Sequence, residues 1–376
     1  MRRLLLLVFV ILLFAAPWSS VRKQFEEASD SSFITTLKSE LSSIFENETL
    51  KENLSGLFDS FQSLIARIES ALEEDQDSTL KQIEKPKLDA PADHLFSIYN
   101  IEIGDAKADV VAMLGEPKRV SMNEYGTNWY TYHEDYQNFV QVMFNENDQV
   151  VGLYTNQDLL SSTNGIKLGS SKEAVLKQLG EPLTVLRKGL ILYQLQKNAD
   201  YHLFQVDASY VTVFYDKHEN DTVTAIQIIE ESAEKEKKNM YTTASEELKE
   251  GFEYQMFDLT NATRVNHSLS ILTWDDHIRD TAREHSLDMA ENNYFDHTNL
   301  EGQSPFDRME EDNLIFTLAG ENLAYGQYSS IFAHEGLMNS LGHRENILKS
   351  GYRYLGVGVA FNAENQPYYT QNYYSK

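Results

Sequence analysis

The chain contains no cysteine. Disulfides, thiolate zinc sites, cysteine nucleophiles and acylation on cysteine are all excluded by that one absence. Basic residues are also scarce: 32 Lys and Arg stand against 58 Asp and Glu, a formal charge of −26 over 376 residues. Such a surface repels nucleic acid and anionic headgroups, so no nucleic-acid partner is expected. For the same reason membrane contact is expected only through the N-terminal segment. Apolar residues make up 41% of the chain and aromatics 11%, which is ample for folded cores. The length predicts two or three domains.

One long apolar run is present, in "MRRLLLLVFVILLFAAPWSS" at the start. Two arginines followed by Leu4 to Trp18 have the length of a secretory signal and are short for a full span. Residues 1–20 are thus a signal peptide or an N-terminal anchor, and the protein is expected to be secreted or membrane-anchored and extracellular. An exported chain without cysteine suggests a Gram-positive-like bacterial source.

Residues 21–92 read as a helical stalk. Leu54, Leu57, Phe58, Phe61, Leu64 and Ile65 recur at three and four, the spacing of an amphipathic helix. The stretch "EKPKLDAPAD" then breaks the pattern.

Residues 93–232 contain the same sentence twice, "IEIGDAKADVVAMLGEP" and "IKLGSSKEAVLKQLGEP". The second copy offers Ser170 as helix cap with Glu173 three residues on, a capping box; the first has Asp105 in the cap place. Gly115-Glu116-Pro117 and Gly180-Glu181-Pro182 stop the two helices. Alternating aromatic and β-branched residues follow each helix, split by "NEND" and "HEND", and predict antiparallel meanders. The block is expected to be a duplicated α+β domain that folds separately. His133, His202 and His218 fall on its strands and turns and suggest no chemistry. Residues 233–247, rich in Glu and Lys, read as an exposed linker.

Residues 248–376 change in character. Helices are predicted at "FDLTNATRVN", after Asp275 or Asp276, after Ser304-Pro305 and at "SIFAHEGLMNSL", with strands at "YLGVGVAFN" and "YYTQNYY". Helices and a few antiparallel strands in mixed order indicate an α-β-α sandwich. His285 shares a helix face with Ile278, Ala282 and Met289 and reads as a core residue. His334-Glu335 opens like a zinc-protease helix, but Met338 stands where the second histidine would be required, so that reading is excluded. Tyr354, Tyr368 and Tyr369 fit the edge of a core or the wall of a groove.

Seven motifs occur here in order: Asn261-x-x-Arg264, "HSLDMA", "YFDHT", "AGENLAYG", "MNSLGHRENIL", "LGVGVA" and "YTQNY". Together they resemble a bacterial CAP domain, of the cysteine-rich secretory, antigen 5 and pathogenesis-related superfamily, also called SCP. The duplicated block looks like the module found ahead of certain bacterial CAP domains. Its glycine–proline helix stop resembles that of small lipoproteins of outer-membrane assembly, and both likenesses imply a docking platform.

The CAP resemblance implies a cleft with two histidines and two acidic residues. By motif, His297, Glu321 and His343 occupy three of those places. The register of the fourth falls on Ser340, with Glu335 and Glu345 as substitutes nearby, Glu335 first. Two neutral imidazoles can bind Zn²⁺ or another divalent cation, with a carboxylate as ligand or as orienting partner. The leading expectation is an exported, envelope-associated binding protein for an envelope protein, glycan or lipid. Alternatives are a metal-dependent hydrolase of peptide or cell-wall material with Glu321 as base, and a lipid-binding module.

Overall fold

Each copy of the repeated sentence forms an eight-residue helix, α1 (Lys107–Leu114) and α2 (Lys172–Leu179). Gly115 and Gly180 end them at φ 75° and 80° with ψ near −155°, a backbone region closed to side chains. The N-terminal caps differ from expectation by one residue. Ser171, not Ser170, accepts from the Ala174 amide at 3.2 Å, and Ala106 opens α1 with no side-chain bond. The oxygens expected to cap are used to close the preceding turn: Ser170 accepts from the Lys167 amide and Asp105 from the Glu102 amide.

The structure, a computed structural model, describes residues 82–195 and 200–376. The expected export segment and most of the stalk lie outside the described residues; residues 82–92 carry no helix. The strands of the repeat region are β1 (Phe96–Ile98), β2 (Arg119–Met122), β3 (Asn128–Glu134), β4 (Gln137–Phe144), β5 (Val150–Thr155), β6 (Leu160–Ser162), β7 (Val185–Lys188), β8 (Ile191–Gln194), β9 (Tyr201–Val206), β10 (Ser209–Asp216) and β11 (Thr222–Glu230). Seven of them form one antiparallel sheet in the order β2-β3-β4-β5-β11-β10-β9. The strands after α1 and those after α2 meet at its centre, where β5 pairs with β11.

Both faces of this sheet are buried, which is why its central strands read as near-continuous apolar runs. Side chains alternate across a strand. Along β4, Val140, Val142 and Phe144 face a core shared with Val110 of α1 and Val175 of α2. Phe139 and Met143 face the opposite way, into a core shared with Phe252, Met256, Phe257 and Leu259. Those four belong to the long helix α4 (Glu246–Asn266) of the C-terminal region. The two regions therefore share one hydrophobic core, within a single compact unit from Leu80 to Lys376. The expectation of separately folding halves is corrected here, because the sheet has a second apolar face that is covered by helices of the C-terminal region, α4 above all and Phe332, which packs on Phe214 and Tyr201.

The connecting segment is likewise not solvated throughout. Helix α3 (Glu231–Glu236) turns Glu234 inward to pair with buried Lys188. Lys237 is 8% exposed, over the rings of Tyr125 and Tyr328, and burial pushes its amine down to about 8.

The C-terminal region continues with β12 (Thr273–Trp274), α5 (Asp276–Asn292), α6 (Pro305–Glu311), β13 (Leu318–Tyr325), α7 (Ser330–Met338), α8 (Leu341–Ile347), β14 (Tyr354–Phe361) and β15 (Pro367–Ser375). Its sheet has the order β12-β14-β15-β13 and is antiparallel except for β12 with β14. "LGVGVA" explains the layering. Val357 and Val359 face the core under α4, while Gly356 and Gly358 lie against α5. A Cβ on Gly358 would stand 2.1 Å from the Arg283 amide nitrogen, so α5 can rest on β14 only over glycine. The result is the expected α-β-α sandwich.

Candidate functional site

Helix α5 ends at Asn293, in the left-handed conformation at φ 53°, and the chain leaves the helix toward His297. Strand β13 brings up Glu321, whose side chain is 1% exposed. The two meet at 2.8 Å, His297 Nδ1 to Glu321 Oε1. The other carboxylate oxygen, Oε2, accepts from Arg308 Nη2 of α6 at 2.7 Å. Arg308 Nη1 also donates to the carbonyls of His297 and Gln303, at 2.9 and 3.1 Å. Glu321 is thus held between an imidazole and a guanidinium. Its hydrogen bond raises the pKa of His297, which is half exposed.

His343 enters from the first turn of α8. Its Nδ1 lies 2.7 Å from Ser340 Oγ, so the serine in the register of the fourth place touches the second histidine. Burial lowers the His343 pKa, and the neighbouring His297 lowers it further. The two imidazoles are therefore electrostatic neighbours, each with Nδ1 engaged and Nε2 left over. Where Nδ1–H faces a carboxylate, Nε2 carries the lone pair.

An amide network joins the two histidine-bearing elements. Asn322 donates to the His343 carbonyl at 3.1 Å, and Asn346 donates to the Glu321 carbonyl at 3.1 Å and to Asn322 Oδ1 at 3.0 Å. Tyr352 reaches Asn346 from below, in the space that a side chain on Gly320 would fill. These bonds account for the Gly and Asn of "AGEN" and the Asn of "HREN". The Asn261 and Arg264 motif acts in the same way farther off. Asn261 brackets the backbone of Leu272, and Arg264 donates to the carbonyls of Ser270, Ile347 and Lys349.

Glu335 is placed elsewhere. It is buried in the seam with the repeat region, where Tyr154 of β5 donates to it at 2.9 Å. Burial pushes its carboxyl up to about 7. The seam also grips both ends of the α7–α8 turn. Arg344 pairs with Asp216 at 2.7 Å, and Asn339 donates to the Tyr215 carbonyl and accepts from the Lys217 amide. Glu345 is exposed. His285 is buried against the Asp296 carbonyl, as a core residue would be.

Sequence reasoning missed Arg308. The signal was available: it is the only Lys or Arg between His297 and Arg344. A buried carboxylate at Glu321 needs a cation, and no other was within that stretch.

Among the described residues, no group of three or more His, Asp or Glu stands close enough to hold a metal ion. The donor set fits a cation only in part. Two imidazole nitrogens are available, but both Glu321 oxygens are already engaged.

Comparison with known proteins gives the family and the fold. The profile of the CAP-associated N-terminal region matches residues 103–240, and that of the cysteine-rich secretory protein family matches residues 257–373. The uncharacterized membrane protein YlbC of Bacillus subtilis is 32% identical over 296 residues, covering 72% of this chain and 82% of that protein. The uncharacterized protein YkwD of the same organism is 37% identical over 141 residues, 38% of this chain and 53% of that one. An extracellular protein containing an SCP domain from Bacillus anthracis superposes with TM-score 0.64 at 27% identity, covering 79% of this chain and all of the other. A cysteine-rich secretory protein from Staphylococcus aureus shares the fold, with TM-score 0.55 at 16% identity over 73% of this chain and 91% of its own.

The chain belongs to the CAP, or SCP, family. More narrowly, it carries the CAP-associated N-terminal region ahead of the CAP domain. No helix among the described residues is long and apolar enough to cross a membrane.

Proposed function

We propose that this is an exported, envelope-associated binding protein whose CAP cleft takes up a divalent cation through His297 and His343, with the repeat region as a docking platform. One observation carries the cation reading: both imidazoles are fixed through Nδ1, by Glu321 and Ser340, which leaves both Nε2 atoms free. Glu321 then orients a ligand rather than serving as one, a common arrangement behind metal-bound histidine. Arg308 pairs with that carboxylate in the buried interior. A carboxylate with both oxygens held is poorly disposed to act as a base, which favours binding over hydrolysis. Export is supported by the apolar N-terminal run, by a B. subtilis relative named as a membrane protein and by a structural neighbour described as extracellular.

Two imidazoles with water completing the shell give modest zinc affinity, lost as pH falls because protons compete for the same nitrogens. Calorimetry with Zn²⁺ on the untagged chain tests the reading, with His297→Ala and His343→Ala as comparators. The expected result is one site in the wild type at neutral pH, weakened at least tenfold in either variant, about 1.4 kcal/mol. Undiminished binding in both variants, or none in the wild type, would overturn it.

A further inference from the structure

His343 stands on a segment with little of its own to hold it. Of residues 339–346, Leu341, Gly342 and Glu345 are exposed, and Ser340, His343 and Asn346 are half-buried. Only Asn339 and Arg344 are buried, at 6% and 8% exposure. Asn346 ties the segment to β13 on one side. Both buried side chains reach the other way, out of the C-terminal region, to the end of β10.

Asp216 closes β10 and is itself buried. Its Oδ2 accepts from Arg344 Nη1 at 2.7 Å, while Oδ1 accepts from the His218 amide at 2.8 Å and fixes the turn that follows. Arg344 Nη1 also donates to the Met338 carbonyl at 3.3 Å, so the same guanidinium spans the α7–α8 turn. Asn339 donates to the Tyr215 carbonyl at 2.8 Å and accepts from the Lys217 amide at 2.9 Å. Three consecutive residues of the repeat region, Tyr215, Asp216 and Lys217, thus clasp both ends of that turn. His343 is the neighbour of Arg344 in the chain, and Ser340, the partner of its Nδ1, is the neighbour of Asn339. A buried ion pair resists displacement, because parting it leaves an uncompensated charge.

We propose that the repeat region completes the cleft: Asp216 is a positioning residue that, through Arg344, sets where the His343 ring stands. The effect on affinity rests on the cation reading of the cleft; the placement of the ring does not. Anything that docks on the turn after β10 and strains the Asp216–Arg344 pair then changes cation affinity, and by linkage the cation changes docking by the same factor.

The test uses the full chain with ¹⁵N-labelled histidine, metal-free and then titrated with Zn²⁺. Asp216→Asn removes the charge and keeps an acceptor for the His218 amide. It is expected to move the ring signals of His343 far more than those of His297, and to weaken Zn²⁺ binding at least tenfold, about 1.4 kcal/mol. Asn339→Ala loosens the other end of the clasp without leaving a charge unpaired, and is expected to move His343 as well. Gly115→Ala, which strains the repeat region away from the clasp, should move neither ring nor the affinity. His343 signals unmoved in both clasp variants, the same movement in Gly115→Ala, or Zn²⁺ affinity unchanged while the ring moves would overturn the inference. A wild type that takes up no Zn²⁺ sinks the cation reading instead, and the metal-free signals still decide the placement.

Discussion

Glu335→Gln should remove a pH dependence of stability that is built into the seam between the two regions. Glu335 is 5% exposed, and its carboxyl is pushed from an ordinary 4.5 to about 7. Burial is the main cause. The Tyr154 hydrogen bond opposes the shift, nearby Asp216 adds to it, and Arg344 offsets that again. A raised pKa means that the folded chain holds this proton between pH 4.5 and 7 while the unfolded chain has released it. Stability linked to this group is therefore fully present below pH 4.5 and lost as pH rises through 7. A shift of that size corresponds to about 3 kcal/mol at most, at 1.36 kcal/mol per unit. Glutamine keeps an oxygen to accept from Tyr154 and carries no charge at any pH. Urea unfolding of both chains from pH 4 to 8 isolates the group by difference. The curves should coincide near pH 4 and diverge until the variant is the more stable by up to about 3 kcal/mol at pH 8. Parallel curves over the whole range, or a variant weaker at pH 8 than at pH 4 relative to wild type, would refute the reasoning.

Two further outcomes concern glycine. Gly115→Ala and Gly180→Ala should each cost about 1–3 kcal/mol, since a side chain must adopt a backbone region that only glycine occupies freely. Thermal unfolding measures this, and unchanged melting in both would mean that the helix stops do not depend on glycine. Gly358→Ala should cost about 3 kcal/mol or more, because the new methyl would meet the α5 backbone. Gly336→Ala is its control in α7, where a Cβ meets nothing within 4 Å, and should be neutral or stabilising by up to about 1 kcal/mol.

The reach of the sequence follows the range of the interactions. Helix stops at Gly115 and Gly180, the Ser304-Pro305 start of α6 and the alternation in β4 are set by neighbours within a few residues, and all were legible. The caps of α1 and α2 fell one residue from expectation, because Ser170 and Asp105 had a second local use in the turn. The His297, Glu321 and His343 places came from motif order, and the fold brings Glu321 onto His297 at 2.8 Å, with the next residue, Asn322, bonded to the His343 carbonyl at 3.1 Å. No local rule could say that Arg308 would close on Glu321, or that Ser340 rather than Glu335 would touch His343. Those contacts depend on how α6, β13 and α8 pack. The shared core was equally hidden. A two-sided apolar strand announces that both faces are covered but not by what, and α4, about a hundred residues downstream of β4 and β5, supplies the cover. Pattern within an element determined the pieces; burial of faces and pairing of buried charges, which join residues far apart in the chain, decided the assembly and the site.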